Sequence, residues 1–446
     1  MTKNRIAAIA GCVGVAILLV LAAAACSSSS SDKTTTAAAT TGGAASSTAP
    51  ANSAATGSST ASGGDAAAKL DSISGDTTGV TDDQIVIGTF FAQTGPAAVY
   101  DPILEAENAY FDNVNKNGGI NGRKIKYIIC DDGYNPTKTI NCVNKLLQQD
   151  QVFMLYGTLG TPTTDAAQPL LKSAGVPDYF IASGDATWGT SGANFIGLQP
   201  DYVTEGTVMG KYAATTYPGK KIGIVYQNDD FGKEGDKGIK QGLGSSSSEI
   251  VGEETYEANA ADWNAQATKL ISKGAEVMLI FSTPTQYAAA LKYEKAQGKT
   301  VTWIASSVAA SSQTAKLAQG AMDGTITTGY LPDPSDPGAA AQKVDKWLKD
   351  HGIANPSAFS FYGYTSAQML EQLLKSTGKN LNRSSIAYAL QNVAFTGDFK
   401  PDLMEFSPKI NNNNMYPIRY MFMQKWDESK GAFEKVGETI NLAGNS

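Results

Sequence analysis

From Asp82 onward, apolar residues recur in two alternating periods. QIVIGTFF, from Gln84, is an apolar run of strand length. Pro102 to Asn117 then places Ile103, Ala106, Ala109, Tyr110 and Val114 on one helical face, and Gly118 and Gly119 stop that helix. Asn121-Gly122 marks a tight turn into a second strand, Arg123 to Cys130. A helix from Pro136 to Gln149 follows, with proline in its first turn. Val152 to Tyr156 reads as strand, Thr163 to Ala174 as helix and Asp178 to Ala182 as strand.

The cycle restarts after Pro200. Asp201 caps a helix to Tyr217. Lys221–Tyr226, Ile250–Tyr256, Val277–Phe281 and Val301–Ala305 are predicted strands. Helices Phe231–Leu243, Trp263–Lys273 (capped by Asp262) and Thr285–Gln297 separate them. Strand-helix alternation with short connections predicts parallel sheets covered on both faces, and two runs of it predict two doubly wound α/β lobes.

The first eighty residues break the pattern. Lys3 and Arg5 precede an apolar stretch from Ile6 to Ala25, the form of a secretory signal over residues 1–26. Cys26 resembles the lipid-acceptor cysteine of a bacterial lipobox, with Ala23 where leucine is usual. An uncleaved membrane helix and cleavage by a general signal peptidase are the other readings. All three place the chain outside the cytoplasm, and the serine run after Cys26 favours a lipid anchor on the outer face of the cell membrane. Residues 27–80, mostly Ser, Thr, Ala and Gly, are expected to be a disordered tether; about fifty such residues span roughly 40 Å.

Composition narrows the chemistry. The net charge of −7 offers no basic surface for a nucleic-acid backbone. The one histidine, His351, reads as the end of a helix, which leaves little for Ser-His-Asp or Cys-His catalysis or for most zinc sites. Neither a metal nor a cofactor is expected. Adjacent carboxylates such as Asp131-Asp132 and Asp229-Asp230 point apart on strand tips, so the chain is not expected to be an enzyme. Beyond Cys12 in the signal and Cys26, two cysteines remain. Cys130 and Cys142 suit a disulfide in an oxidising compartment, with two buried free thiols as the alternative.

Parallel sheets bind ligands at the carboxyl ends of their strands. Those ends carry Gln93 and Thr94; the GTLGTPTT loop; Ser183, Gly184 and Asp185; Asp229; Thr283; and Ser307. Tyr100, shortly after the first tip, joins these candidates. Such tips offer hydroxyls and backbone amides rather than acid-base pairs.

The runs IVIGTFFAQTGPAA, NKNGGINGRKIKYIICDDGYNP, GTLGTPTT, IGIVYQNDDFGKEG and FYGYTSAQMLEQLL resemble solute-binding proteins of branched-chain-amino-acid-type ABC transporters, over roughly residues 80–440. The resemblance implies a type I periplasmic binding protein fold, with Rossmann-like lobes joined by three crossovers, here near Pro200, Leu331 and Lys400. Lobe 1 would comprise 81–200 plus 332–400, and lobe 2 would comprise 201–331 plus 401–440. It implies a cleft that shuts on a small solute, delivered to permease subunits. A ligand carboxylate would meet Thr161 with Thr163 and Ser183 to Asp185, and Phe231 would cover it. Amino-acid binders of this kind carry a second-lobe acid for the ligand ammonium; Ser306-Ser307 stand there, with Asp185 or Asp229 as possible substitutes. The expected ligand is therefore an amino-acid-like or other carboxylated or amide solute. Tyr134 is expected outside the cleft. A ligand sensor acting through a separate signalling partner is the alternative function.

Overall fold

Strand order divides the chain into two sheets. The computed structural model describes residues 63–442 apart from 191, 299 and 412–414; the signal segment, Cys26 and most of the tether lie outside the described residues. The first sheet contains β1 (Gln84–Phe91), β2 (Lys124–Asp131), β3 (Met154–Tyr156), β4 (Asp178–Ile181) and β5 (Phe195–Gly197). Their order is β2-β1-β3-β4-β5, parallel throughout. The second sheet contains β6 (Ile222–Gln227), β7 (Ile250–Tyr256), β8 (Val277–Phe281), β9 (Thr302–Ala305), β10 (Ile326–Gly329), β11 (Tyr420–Asp427) and β12 (Ala432–Asn441). Its order is β12-β11-β10-β9-β8-β6-β7. β11 and β12 run antiparallel, an edge that the alternation did not predict. Both sheets reverse their strand order once, between β1 and β3 and between β6 and β8, which opens a crevice at the carboxyl ends of those strands.

Helices cover the sheets. α1 (Gly63–Leu70), α2 (Pro102–Lys116), α3 (Pro136–Gln148) and α4 (Thr161–Ala174) belong to the first run. α5 (Tyr202–Thr216), α6 (Asp230–Leu243), α7 (Asn264–Ser272), α8 (Pro284–Ala296) and α9 (Ser312–Ala318) belong to the second. α7 begins one residue later than expected: Trp263, not Asp262, is its cap position, and Asp262 accepts from the Asn264 amide at 3.1 Å. α10 (Ala339–Asp350), α11 (Ala358–Ser376) and α12 (Arg383–Asn392) return to the first sheet, where Val344, Phe361, Leu370 and Ile386 share a core with Ile87, Phe111 and Tyr156. His351 caps the end of α10 and stacks on Trp347.

Residues 63–80 correct the tether boundary. Leu70 is buried in the first core, Asn380 donates to its carbonyl at 2.7 Å, and Asp76 pairs with Arg383. Leu70, with Val80 packed against the same core, gives the segment something to bury, which the Ser/Ala-rich stretch before it lacks.

Cys130 and Cys142 form a disulfide, with Cα atoms 5.7 Å apart, tying the end of β2 to α3. α5 and α6 meet through glycines. A Cβ on Gly206, Gly210, Gly238 or Gly242 would lie 2.2–2.3 Å from a backbone oxygen of the opposite helix. The two backbones touch because no side chain separates them.

Candidate functional site

The crevice ends of both sheets face one cavity of about 560 Å3, counting the space continuous with solvent. From the first half come Tyr100, Ile103, Tyr134, Leu159, Gly160, Thr161 and Ala182. Phe359 and Tyr362 of α11 complete that side. The second half supplies Tyr202, Phe231, Thr283, Ser307 and Val308, and Gln199 and Tyr330 lie in the connections between the halves. Seven of these side chains are aromatic and none is charged.

Each wall has a local cause. Gly160 precedes α4 at φ +99°, and a Cβ there would come within 2.4 Å of the Tyr134 ring. Thr161 opens α4 and lines the cavity, so the start of this helix lies at the cavity wall. Its hydroxyl lies 2.7 Å from that of Ser183. An anion is favoured at such a place by the amides and the helix dipole together. Phe231 stands in the first turn of α6, held edge-on to Tyr202 with ring centroids 4.8 Å apart. Tyr202 is fixed in turn by its amide, which donates to the Gly184 carbonyl at 2.7 Å.

Hydrogen bonds cross between the halves around this cavity. The Tyr100 hydroxyl donates to the Val308 carbonyl at 3.2 Å. Gln227 of β6 donates to the Tyr134 hydroxyl at 3.4 Å. The Ala186 amide donates to Glu234 of α6 at 2.9 Å. Burial pushes the phenols of Tyr100, Tyr134, Tyr330 and Tyr362 well above the usual tyrosine range, so all four remain neutral hydroxyls.

Of the residues expected from sequence, Tyr100, Thr161, Phe231, Thr283 and Ser307 line the cavity. Ser183 stands directly behind Thr161. Thr163 turns its hydroxyl back to the carbonyls of Leu159 and Gly160. Gly184 supports Tyr202, and Asp185 accepts from the Thr187 amide at 2.7 Å. Asp229 caps α6 and accepts from Gln227. Gln93 and Thr94 are exposed and bind Asp131 through their amides, away from the lining. All seven lie outside the lining, and the side chains of Thr163, Asp185, Asp229 and Thr94 are taken up by bonds to neighbouring turns and caps.

Tyr134 is the main correction. It was expected outside the cleft, yet it lines the cavity. Its backbone takes φ +58°, which folds the DDGYNP turn inward and points the ring at Gly160. Sequence reasoning also missed Tyr202, Tyr330, Phe359 and Tyr362. Tyr202 follows the helix cap Asp201, a signal available in the sequence; Tyr330 follows a strand of only four residues, and Phe359 and Tyr362 sit on α11, whose packing partner α2 lies far earlier in the chain.

A carboxylate does stand near Ser307. Glu205 of α5 is buried behind it and accepts from the Ser307 amide at 2.5 Å and from the Thr328 hydroxyl. Burial raises its pKa, opposed by those two bonds. Further acids flank the seam between the halves. Asp165 is pushed up to about 7, by burial first and then by Asp185, Asp230 and Asp229. Glu234 is pushed up to about 8, by burial first and then by Asp185.

Residues 84–432 match the family described as periplasmic binding protein. The chain is 26% identical over 350 residues to the Leu/Ile/Val-binding protein homolog 1 of Brucella abortus, covering 78% of this chain and 91% of that protein. It is 25% identical to an amino acid binding protein of Pseudomonas aeruginosa, covering 70% and 84%. Among solved structures, a fatty acid ABC transporter substrate-binding protein from Thermomonospora curvata superposes with a TM-score of 0.72 at 21% identity, covering 84% of this chain and 97% of that one. A branched chain amino acid ABC transporter protein from Thermus thermophilus with bound valine gives 0.71 at 16% identity, covering 81% and 97%. The fold is thus that of type I periplasmic binding proteins, and these relatives are binding proteins rather than enzymes.

Proposed function

The chain belongs to the periplasmic binding protein family, and on that premise we propose that it captures a small carboxylated solute outside the cytoplasm and presents it to the permease of an ABC importer. The observation that carries this reading is the cavity built from both halves, with Thr161 at the start of α4 in its wall and the Ser183 hydroxyl directly behind it. Leucine, valine and fatty acids, which relatives are named for or hold, share a carboxylate, and a helix start with two hydroxyls suits that group. The aromatic remainder of the wall suits an apolar body.

In this reading the halves, 81–200 with 332–400 and 201–331 with 401–440, open and shut about their crossovers. The ligand favours the shut form only by its extra affinity for it. The apolar segment before Cys26 supports export, and the serines after it support a lipid anchor at that cysteine.

The test is native mass spectrometry with a thermal-shift screen of amino acids, amides and aromatic or aliphatic acids. One ligand per chain is expected, with binding weakened at least about tenfold by Thr161→Val. Binding indifferent to Thr161→Val would remove the carboxylate from α4.

A further inference from the structure

A second cavity abuts the first and shares Ser307, Tyr330, Phe359 and Tyr362 with it as a common wall. It spans about 500 Å3, counting the part open to solvent. Asp333 borders it and is only 8% exposed. One carboxylate oxygen of Asp333 accepts from the Ser335 amide and hydroxyl at 3.0 and 2.7 Å, whereas the other, Oδ2, is buried without a partner. The Tyr362 hydroxyl on the shared wall is likewise buried and unpartnered. Among the described residues, no lysine, arginine or histidine lines this cavity, but the rings of Tyr330, Phe359, Tyr362 and Phe433 do.

We infer that this second cavity is a cation compartment of the solute site, and that the solute is an acid whose positively charged nitrogen lies several bonds from its carboxylate. The inference rests on the carboxylate placement proposed above. A buried carboxylate without a counter-cation is costly, so an unpartnered oxygen of this kind marks a place completed by something else. Aromatic faces attract an ammonium or alkylated ammonium rather than an anion. Glu205, behind Ser307 and Thr328 of the same wall, adds a second acidic group. With its carboxylate at Thr161, an α-amino acid holds its ammonium too close to that end to reach past Tyr330 and Tyr362. This accounts physically for the lack of an acid at Ser306-Ser307: the charge partner stands in the connection after β10 instead.

Isothermal titration of the purified protein with 6-aminohexanoate, heptanoate and leucine tests this. The amino acid and heptanoate have similar length and differ in the terminal charge. 6-Aminohexanoate is expected to bind about tenfold more tightly than heptanoate, and Asp333→Asn should bring the two within about twofold by weakening 6-aminohexanoate. Should Asp333→Asn not fold, Tyr362→Phe, which removes only a hydroxyl, must narrow the ratio by about threefold. A wild-type ratio near one, a ratio that survives both substitutions, tighter binding of leucine, or binding of neither acid overturns the inference. Thr161→Val separates the two readings. If it weakens both acids while their ratio stays near one, only the cation compartment fails; if it alters neither, the carboxylate placement fails first.

Discussion

Tyr100 donates its hydroxyl to the carbonyl of Val308 at 3.2 Å, and so joins the loop before α2 to the loop after β9. The bond spans the two halves and exists only while they are together. A net contribution of about 1 kcal/mol is usual for such a bond. Tyr100→Phe keeps the ring against Phe359 and removes only this link. The dissociation constant for the solute should rise about fivefold, and the ligand-free protein should have a larger radius of gyration in small-angle scattering. Unchanged values of both would mean the bond contributes nothing to closure.

Tyr134 and Phe231 reach the cavity from opposite halves. Truncating either removes a buried aromatic face, so Tyr134→Ala and Phe231→Ala should each weaken solute binding by about tenfold or more. Titration of both variants checks this. A Tyr134→Ala protein that binds normally would restore the original expectation that this residue lies outside the site.

Glu234 has its pKa pushed up to about 8 from an ordinary 4.5. Between those values the folded chain keeps the proton that the unfolded chain has released, so stability falls as pH rises through that window. Asp165, pushed up to about 7, acts in the same sense over a narrower range. Glu234→Gln removes the charge. It should raise the melting temperature by roughly 2–4 °C at pH 8.5 and by less at pH 4.5. A larger gain at the acid end would reverse the sign and refute the assignment.

The disulfide closes a separation of 12 residues. In the chain-entropy treatment a loop of that size contributes about 3 kcal/mol. Cys130→Ser with Cys142→Ser should therefore lower the melting temperature of the first half by roughly 6–12 °C. Solute affinity should stay within about twofold, because neither cysteine lines the cavity. Calorimetry together with titration would show both.

Where neighbours in sequence set the structure, the chain was readable. β1 and β8 are mainly apolar runs, Asp201 and Pro136 mark helix starts, and all four appear where local rules put them. The chain after β9 was less legible. β10 has only four residues, and β12 carries charges on an exposed edge, so neither shows a clear period. Site residues divided along the same line. Thr161 follows a glycine-rich strand tip and was found. Phe359 and Tyr362 sit on a helix that is buried all round, where an aromatic that faces a cavity has the same pattern as one that faces the core. Tyr134 was misplaced because a Gly-Tyr-Asn-Pro turn ordinarily marks an exposed loop.

The glycine seam between α5 and α6 has a mechanical consequence. α5 carries Tyr202 and Glu205 in its first turn, and α6 carries Phe231 in its own. With backbone oxygens and Cα atoms in contact at Gly206, Gly210, Gly238 and Gly242, neither rod has slack to slide along the other. Ring, carboxylate and cover must therefore swing as one slab, like the jaw of a clamp, and a single methyl group inserted far from the mouth, as in Gly242→Ala, would tilt the jaw's whole gripping edge.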